Sequence, residues 1–180
     1  DSCANAGGIV GGIGTVSNEE NALHISKCNV INTDITTTAG NLGGVVGLHY
    51  EWTDTPRTIS ECTISGGTFI STADTSSNTC TGGIGGMICP SLKVEKCTVD
   101  NMTIKGNGRN TAGLIAIGYN RTEINNSKVT NSNIENLGQT TYYSSKNSYL
   151  DCVAGILGYT LENAVLNNNT VEHCNIKGVN

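Results

Sequence analysis

GGIGGMICPSLKVEKCTVDNMTI, running from Gly82 to Ile104, holds two blocks that return four more times along the chain. The first block is a small residue, then Gly, an aliphatic, any residue, and Gly or Ala. Its copies are Gly7-Gly8-Ile9-Val10-Gly11, Gly43-Gly44-Val45-Val46-Gly47, Gly82-Gly83-Ile84-Gly85-Gly86, Ala112-Gly113-Leu114-Ile115-Ala116 and Ala154-Gly155-Ile156-Leu157-Gly158. Their second residues are spaced by 36, 39, 30 and 42 positions. The second block reads I-x-x-C-x-V-x(4)-I. Its copies are Ile25/Cys28/Val30/Ile35, Ile59/Cys62/Ile64/Ile70 with one extra residue, Val94/Cys97/Val99/Ile104, Ile124/Ser127/Val129/Ile134 and Leu166/Asn169/Val171/Ile176.

Self-similarity at this period marks an array of stacked repeats. A unit of 30 residues is too short for two helices with turns but long enough for short strands joined by corners. In the second block, Cys and Val lie two residues apart and share a strand face. The steps from Ile to Cys and from Val to Ile are odd, so a corner is expected inside each. The pattern predicts an all-β fold: a parallel β-helix, or β-solenoid, right-handed and three-sided, with five coils of about 30–42 residues. One domain, 1–180, is expected, with repeats 7–42, 43–81, 82–111, 112–153 and 154–180. Each coil buries its inner face only by stacking on a neighbour about 4.8 Å away.

The G-[ILV]-x-[GA] cores at Gly8, Gly44, Gly83, Gly113 and Gly155, followed by I-x-x-C/S/N-x-V, resemble GLUG-motif repeats. These occur in large surface and secreted proteins, adhesins among them. The resemblance spans essentially the whole chain and implies an architecture rather than an activity.

Composition sets the remaining bounds. The 180 residues include 23 Gly, only 14% are charged and 4% aromatic, and the net charge is -5 with no Lys/Arg cluster. Such a chain is a poor partner for nucleic acid or an anionic membrane. No stretch approaches the roughly 18 apolar residues of a membrane span, so membrane insertion is not expected. The opening Asp1-Ser2-Cys3 carries no leader pattern and reads as a processed or excised start. Eight cysteines, Cys3, Cys28, Cys62, Cys80, Cys89, Cys97, Cys152 and Cys174, are all candidates for disulfides in an oxidising compartment. Cys80 and Cys152 share a repeat position but lie two coils apart, which argues against pairing them with each other. N-x-S/T triplets make Asn168, Asn120, Asn125 and Asn101 glycosylation candidates, Asn168 first because it faces outward and Asn120 next on a loop; N-x-C at Asn78 is weaker. The expected location is extracellular or at the cell surface.

Stacking turns each repeat position into a ladder, and the ladders carry little catalytic signal. No position places two acids on adjacent coils, as glycoside hydrolysis requires. Glu51, Asp54 and Arg57, like Glu19-Glu20, read as solvated turns. His24 before Cys28, and His173-Cys174, are weak pairs better explained structurally. The residues before the Cys ladder, Lys27, Glu61, Lys96, Asn126 and Asn168, form a solvated face of alternating sign. No catalytic residue, metal or cofactor is expected. Ice binding is disfavoured, because the third-strand outward position reads Asp34, Phe69, Thr103, Asn133, Asn175.

Two surfaces remain candidates for contact. Tyr50 and Trp52, with Tyr142, Tyr143 and Tyr149, sit in polar insertions where aromatics stack on sugars or anchor a partner. Strand one has a second apolar ladder, Val10, Val46, Ile115 and Leu157, which needs a cover: the chain's own loops, or another molecule along a lateral assembly face. Neither end carries a capping helix or a polar outer coil. The expectation is a non-enzymatic structural protein that self-associates end to end into a fibre or forms an adhesin stalk, with glycans or cell-surface proteins as further partners. The alternative is a secreted carbohydrate-binding or carbohydrate-active β-helix.

Overall fold

The computed structural model describes residues 5–14, 23–50, 55–73, 79–138 and 152–178, and every regular element among them is a β-strand. All pairings are parallel, and the chain folds as a β-solenoid. The first sheet stacks Ala6–Gly7, Leu42–Gly43, Cys80–Gly82, Asn110–Ala112 and Cys152–Ala154 in that order. The second stacks Val10–Gly14, Val46–Tyr50, Gly85–Ile88, Ile115–Gly118 and Leu157–Tyr159, and the third Leu23–Ser26, Arg57–Ser60, Leu92–Glu95, Thr122–Asn125 and Ala164–Asn167. The fourth is built on two long strands, Thr63–Ser71 and Thr98–Gly106, flanked by pairs of shorter ones. Each coil supplies one strand to each of the first three sheets, so sequence neighbours are not sheet neighbours and every strand pairs with the same strand one coil away.

The two corners expected inside the second block lie where the odd steps place them. Lys27, Glu61, Lys96, Asn126 and Asn168 have φ between 52° and 56°, in the left-handed region, between the third and fourth sheets. Asn32, Gly66, Asn101, Asn131 and His173 repeat this turn with φ between 49° and 64°. A left-handed residue bends the chain through a corner within one position, and Asn tolerates it because its short amide bonds locally.

The recurring Gly has a different cause. A Cβ on Gly44 would meet the carbonyl oxygen of Gly83 and the side chain of Ile64, and one on Gly83 would meet Gly113 and Val99 in the same way. The backbone of each coil therefore presses on the next directly over the Val30/Ile64/Val99/Val129/Val171 ladder. Only a residue without a side chain permits that approach.

Three expectations need correction. The ladder partner of Ile35 and Ile104 is Phe69, not Ile70. Coil two therefore has no extra residue, and its outward third-strand position is Thr68, not Phe69. Phe69 is fully buried in the core. Second, Val10, Val46, Ile115 and Leu157 are not a lateral assembly face. Val46 and Ile115 are fully buried, and Val10 and Leu157 pack on the same core. The motif's Gly-aliphatic pair is a bend between two short strands, so both apolar ladders turn into the solenoid. Third, Arg57 does not sit in a solvated turn; it is fully buried. Its former companions Glu51 and Asp54 lie outside the described residues, as do Glu19 and Glu20.

Candidate functional site

The cysteines are positioned by corners rather than by one another. At the turn between the third and fourth sheets, the residue after the left-handed position leaves the strand ladder, and its N–H needs a partner. That partner is the side chain one coil onward. The N–H of Cys28 donates to the sulfur of Cys62, and that of Cys62 to Cys97. The Cys97 N–H donates to Ser127 Oγ at 3.1 Å, and the Ser127 N–H to Asn169 Oδ1 at 3.0 Å. The same side chains donate backwards to carbonyls: Cys62 Sγ to Ser60 at 3.3 Å, Ser127 Oγ to Asn125 at 3.0 Å, Asn169 Nδ2 to Ile124 at 2.6 Å. Cys, Ser and Asn are interchangeable here because each is short and carries both a donor and an acceptor.

Other corners use the same device, in the first sheet with the acceptor one coil back. In the first sheet the column is Asn5, Asn41, Cys80, Asn110, Cys152. There the Asn41 N–H donates to Asn5 Oδ1 at 3.0 Å and the Cys80 N–H to Asn41 Oδ1 at 3.0 Å. Cys80 and Cys152 are separated by Asn110, two coils apart as the spacing indicated. Cys174 occupies the position of Ser132 and donates to Glu172 O at 3.2 Å, as Ser132 donates to Thr130 O at 2.6 Å. This accounts for His173-Cys174: one residue makes the left-handed turn and the next holds it.

Against the expectation of disulfides, the seven described cysteines are free thiols; Cys3 lies outside the described residues. Their chemistry differs by place. Burial pushes Cys80 and Cys89 up to about 12. In the Cys28–Cys62–Cys97 column the thiols are hydrogen-bonded in series. The bond from Cys97 is the main cause that lowers Cys62, and the same bond raises Cys97, with burial adding to it. Cys28 is raised chiefly by burial. The column thus holds one polarised thiol between two whose protons are held more tightly.

Comparison with protein-family models, with curated proteins and with solved structures gives no match.

A second cluster was not legible in the sequence. Arg57 takes a core position between Leu23 and Leu92. It donates from Nε to His49 Nε2 at 3.4 Å and from Nη1 to Thr55 O at 2.8 Å and to Pro90 O. A buried guanidinium spreads its donors over carbonyls and an imidazole, and ties two loops together. Beside it lies a shallow open groove of about 270 Å³, whose outer lining includes Thr58, Lys93, Arg121 and Glu123. Among the described residues no three His, Cys, Asp or Glu side chains gather as a metal site.

Of the glycosylation candidates, Asn168 and Asn101 are exposed at left-handed corners. Asn125 is half-buried and accepts from Asn167 Nδ2 at 3.2 Å, and Asn120 is half-buried with its side-chain oxygen covered, which places Asn101 ahead of it. Trp52, Tyr142, Tyr143 and Tyr149, and the side chain of Tyr50, lie outside the described residues. One charge ladder escaped the sequence reading: Glu135 in coil four meets Lys105 of coil three at 3.4 Å and Lys177 of coil five at 3.1 Å.

Proposed function

We propose that the protein is a non-enzymatic extracellular structural element, a β-solenoid whose coils continue end to end into a fibre or into the stalk of a surface adhesin of the GLUG-repeat kind. The observation that carries this reading is the in-register stacking of equivalent coils, in which the inner face of the fifth calls for a further coil, whether of this chain or of a second copy. Leu166, Val171 and Ile176 are 48%, 41% and 41% exposed, whereas their ladder equivalents in coils two to four are buried. A contiguous apolar strip beside open strand edges is a template for another strand.

The first coil of a second copy offers the matching side chains. Continuing the common register sets Gly8 over Gly155, Ile25 over Leu166, Val30 over Val171 and Ile35 over Ile176. Outside, Lys27 would meet Asn168, Ile31 would meet Glu172 and Thr36 would meet Lys177, so no like charges face each other. Such a contact is heterologous and does not close, and it therefore builds a filament. Asn168 and Asn101 stand ready on the outside for glycans.

Electron microscopy of the protein purified without denaturant tests the reading. The expected result is continuous fibres with an axial repeat of roughly 24 Å, five coils at about 4.8 Å each. Dispersed single particles at every concentration would overturn self-stacking. A carbohydrate-binding reading has the groove at Lys93, Arg121 and Glu123 in its favour, although glycoside hydrolysis calls for two carboxylates and the lining carries one. Glycan-array binding that Arg121→Ala abolishes would move the assignment there.

A further inference from the structure

We propose that Cys28, Cys62 and Cys97 form an in-line thiol–disulfide exchange column, in which Cys62 bridges alternately to the sulfur on either side. The column lies within one chain and does not rest on the stacking reading.

The geometry supplies what exchange requires. The three residues hold one position in three successive coils, fixed by the pairing of Asn29 with Thr63 and of Thr63 with Thr98. Parallel strands lie about 4.8 Å apart, within the Cα separation of about 4.4–6.8 Å that a disulfide spans. Exchange proceeds by a thiolate attacking one sulfur of a disulfide while the other leaves, with the three sulfurs in a line. Residues related by equal steps along the solenoid axis place their sulfurs on such a line. Hydrogen bonds already join Cys28 to Cys62 and Cys62 to Cys97.

Access is graded along the column. Cys28 is half-buried in the first coil, whereas Cys62 and Cys97 are fully buried. An external oxidant therefore meets Cys28 first. With a small-molecule disulfide such as oxidised glutathione, Cys28 gives up its proton to the mildly alkaline solvent and, as the thiolate, displaces one glutathione thiolate and becomes a mixed disulfide. The Cys62 thiolate, favoured by the donors around it, then attacks Cys28 Sγ and expels the second glutathione thiolate. Two protein thiols and one glutathione disulfide have become one protein disulfide and two glutathiones. In the last step Cys97 gives up its proton and attacks Cys62 Sγ, and Cys28 leaves as a thiolate that takes up a proton. The oxidising equivalent has moved one coil inward. Ser127 ends the column, because a hydroxyl does not continue it.

The test uses the full chain incubated with oxidised glutathione at mildly alkaline pH, quenched with acid, alkylated and mapped by mass spectrometry. The expected map holds Cys28–Cys62 and Cys62–Cys97 bridges and no Cys28–Cys97 bridge. Cys97→Ser should retain only Cys28–Cys62, and Cys28→Ser should slow formation of Cys62–Cys97 by roughly tenfold or more. A Cys62 that stays alkylatable while Cys28 ends as a glutathione adduct overturns the proposal. So does Cys28→Ser oxidising at the wild-type rate. The serine variants preserve the corner, since Ser127 already fills it, and the wild-type map decides the question without any variant.

Discussion

Coils three and five carry the same two blocks, the same corners and the same parallel pairing, yet they differ in what they bury. Val94, Val99 and Ile104 are fully buried, while Leu166, Val171 and Ile176, at the same positions, are nearly half exposed. Strand formation and burial are therefore separate steps in this molecule. The corner residues and ladder hydrogen bonds set the path of each coil, but a coil's core is completed only by the coil beyond it. This is nearest-neighbour stability, in which each interface contributes its own share.

Paired substitutions can break that contrast. The largest expected effect is Ile104→Ala, which opens a cavity between two coils and should cost about 2–5 kcal/mol by urea denaturation. Ile176→Ala should cost less than about 1 kcal/mol, since its side chain is largely in water already. Equal losses would mean that the fifth coil is covered in solution. Gly83→Ala comes next. Its Cβ meets the Gly113 carbonyl, so the backbones must part, at about 1–3 kcal/mol. Gly155→Ala, whose Cβ has the side chains of Val171 and Ile176 rather than a carbonyl as its nearest neighbours, should cost clearly less by the same measurement.

The corner columns sharpen the comparison at smaller scale. Ser127→Ala removes the acceptor of the buried Cys97 N–H and should cost about 1–3 kcal/mol, whereas Ser127→Cys, which restores coil three's own residue, should stay within about 0.5 kcal/mol. A Cys variant as unstable as the Ala variant would refute the equivalence of the two side chains. The smallest effect is that of acid. Hydrogen bonding to Lys177 lowers Glu135, and hydrogen bonding to Thr130 lowers Asp100. A carboxylate lowered in the folded state stabilises above its unfolded pKa, and that stability fades as pH falls through the carboxylate range. Protection of the amides of residues 175–178, taken against the intrinsic exchange rate at each pH, should therefore fall on acidification, and Glu135→Gln should flatten the response.

Most of the architecture was legible because its causes repeat. A Gly that must admit the next coil's carbonyl, and an aliphatic that must fill the core, recur wherever a coil recurs. The register of coil two was misjudged at one residue because an aliphatic was sought where Phe69 fills the ladder. The motif's Gly-aliphatic pair was read as a strand, although the glycine marks a bend, and that alone created the supposed outer face of Val46 and Ile115. The corner columns were within reach: Ser127 and Asn169 stand in line with Cys97, and the property the three share is an acceptor, not a thiol. Arg57 was beyond reach, since its partners include backbone carbonyls of Thr55 and Pro90, which no side-chain pattern records.

The stacking of coils that touch only their neighbours also fixes how the molecule answers to force. Tension along the axis acts in the direction of the inter-coil hydrogen bonds and is borne equally by every row, so the row with the least buried core, at the fifth coil, opens first and the others follow in turn. Each released coil of 30 to 42 residues pays out roughly 100 to 150 Å of extended chain. The same repeat that builds a rigid rod at rest thus makes it an extensible tether under load, lengthening in steps while the remaining coils keep their shape.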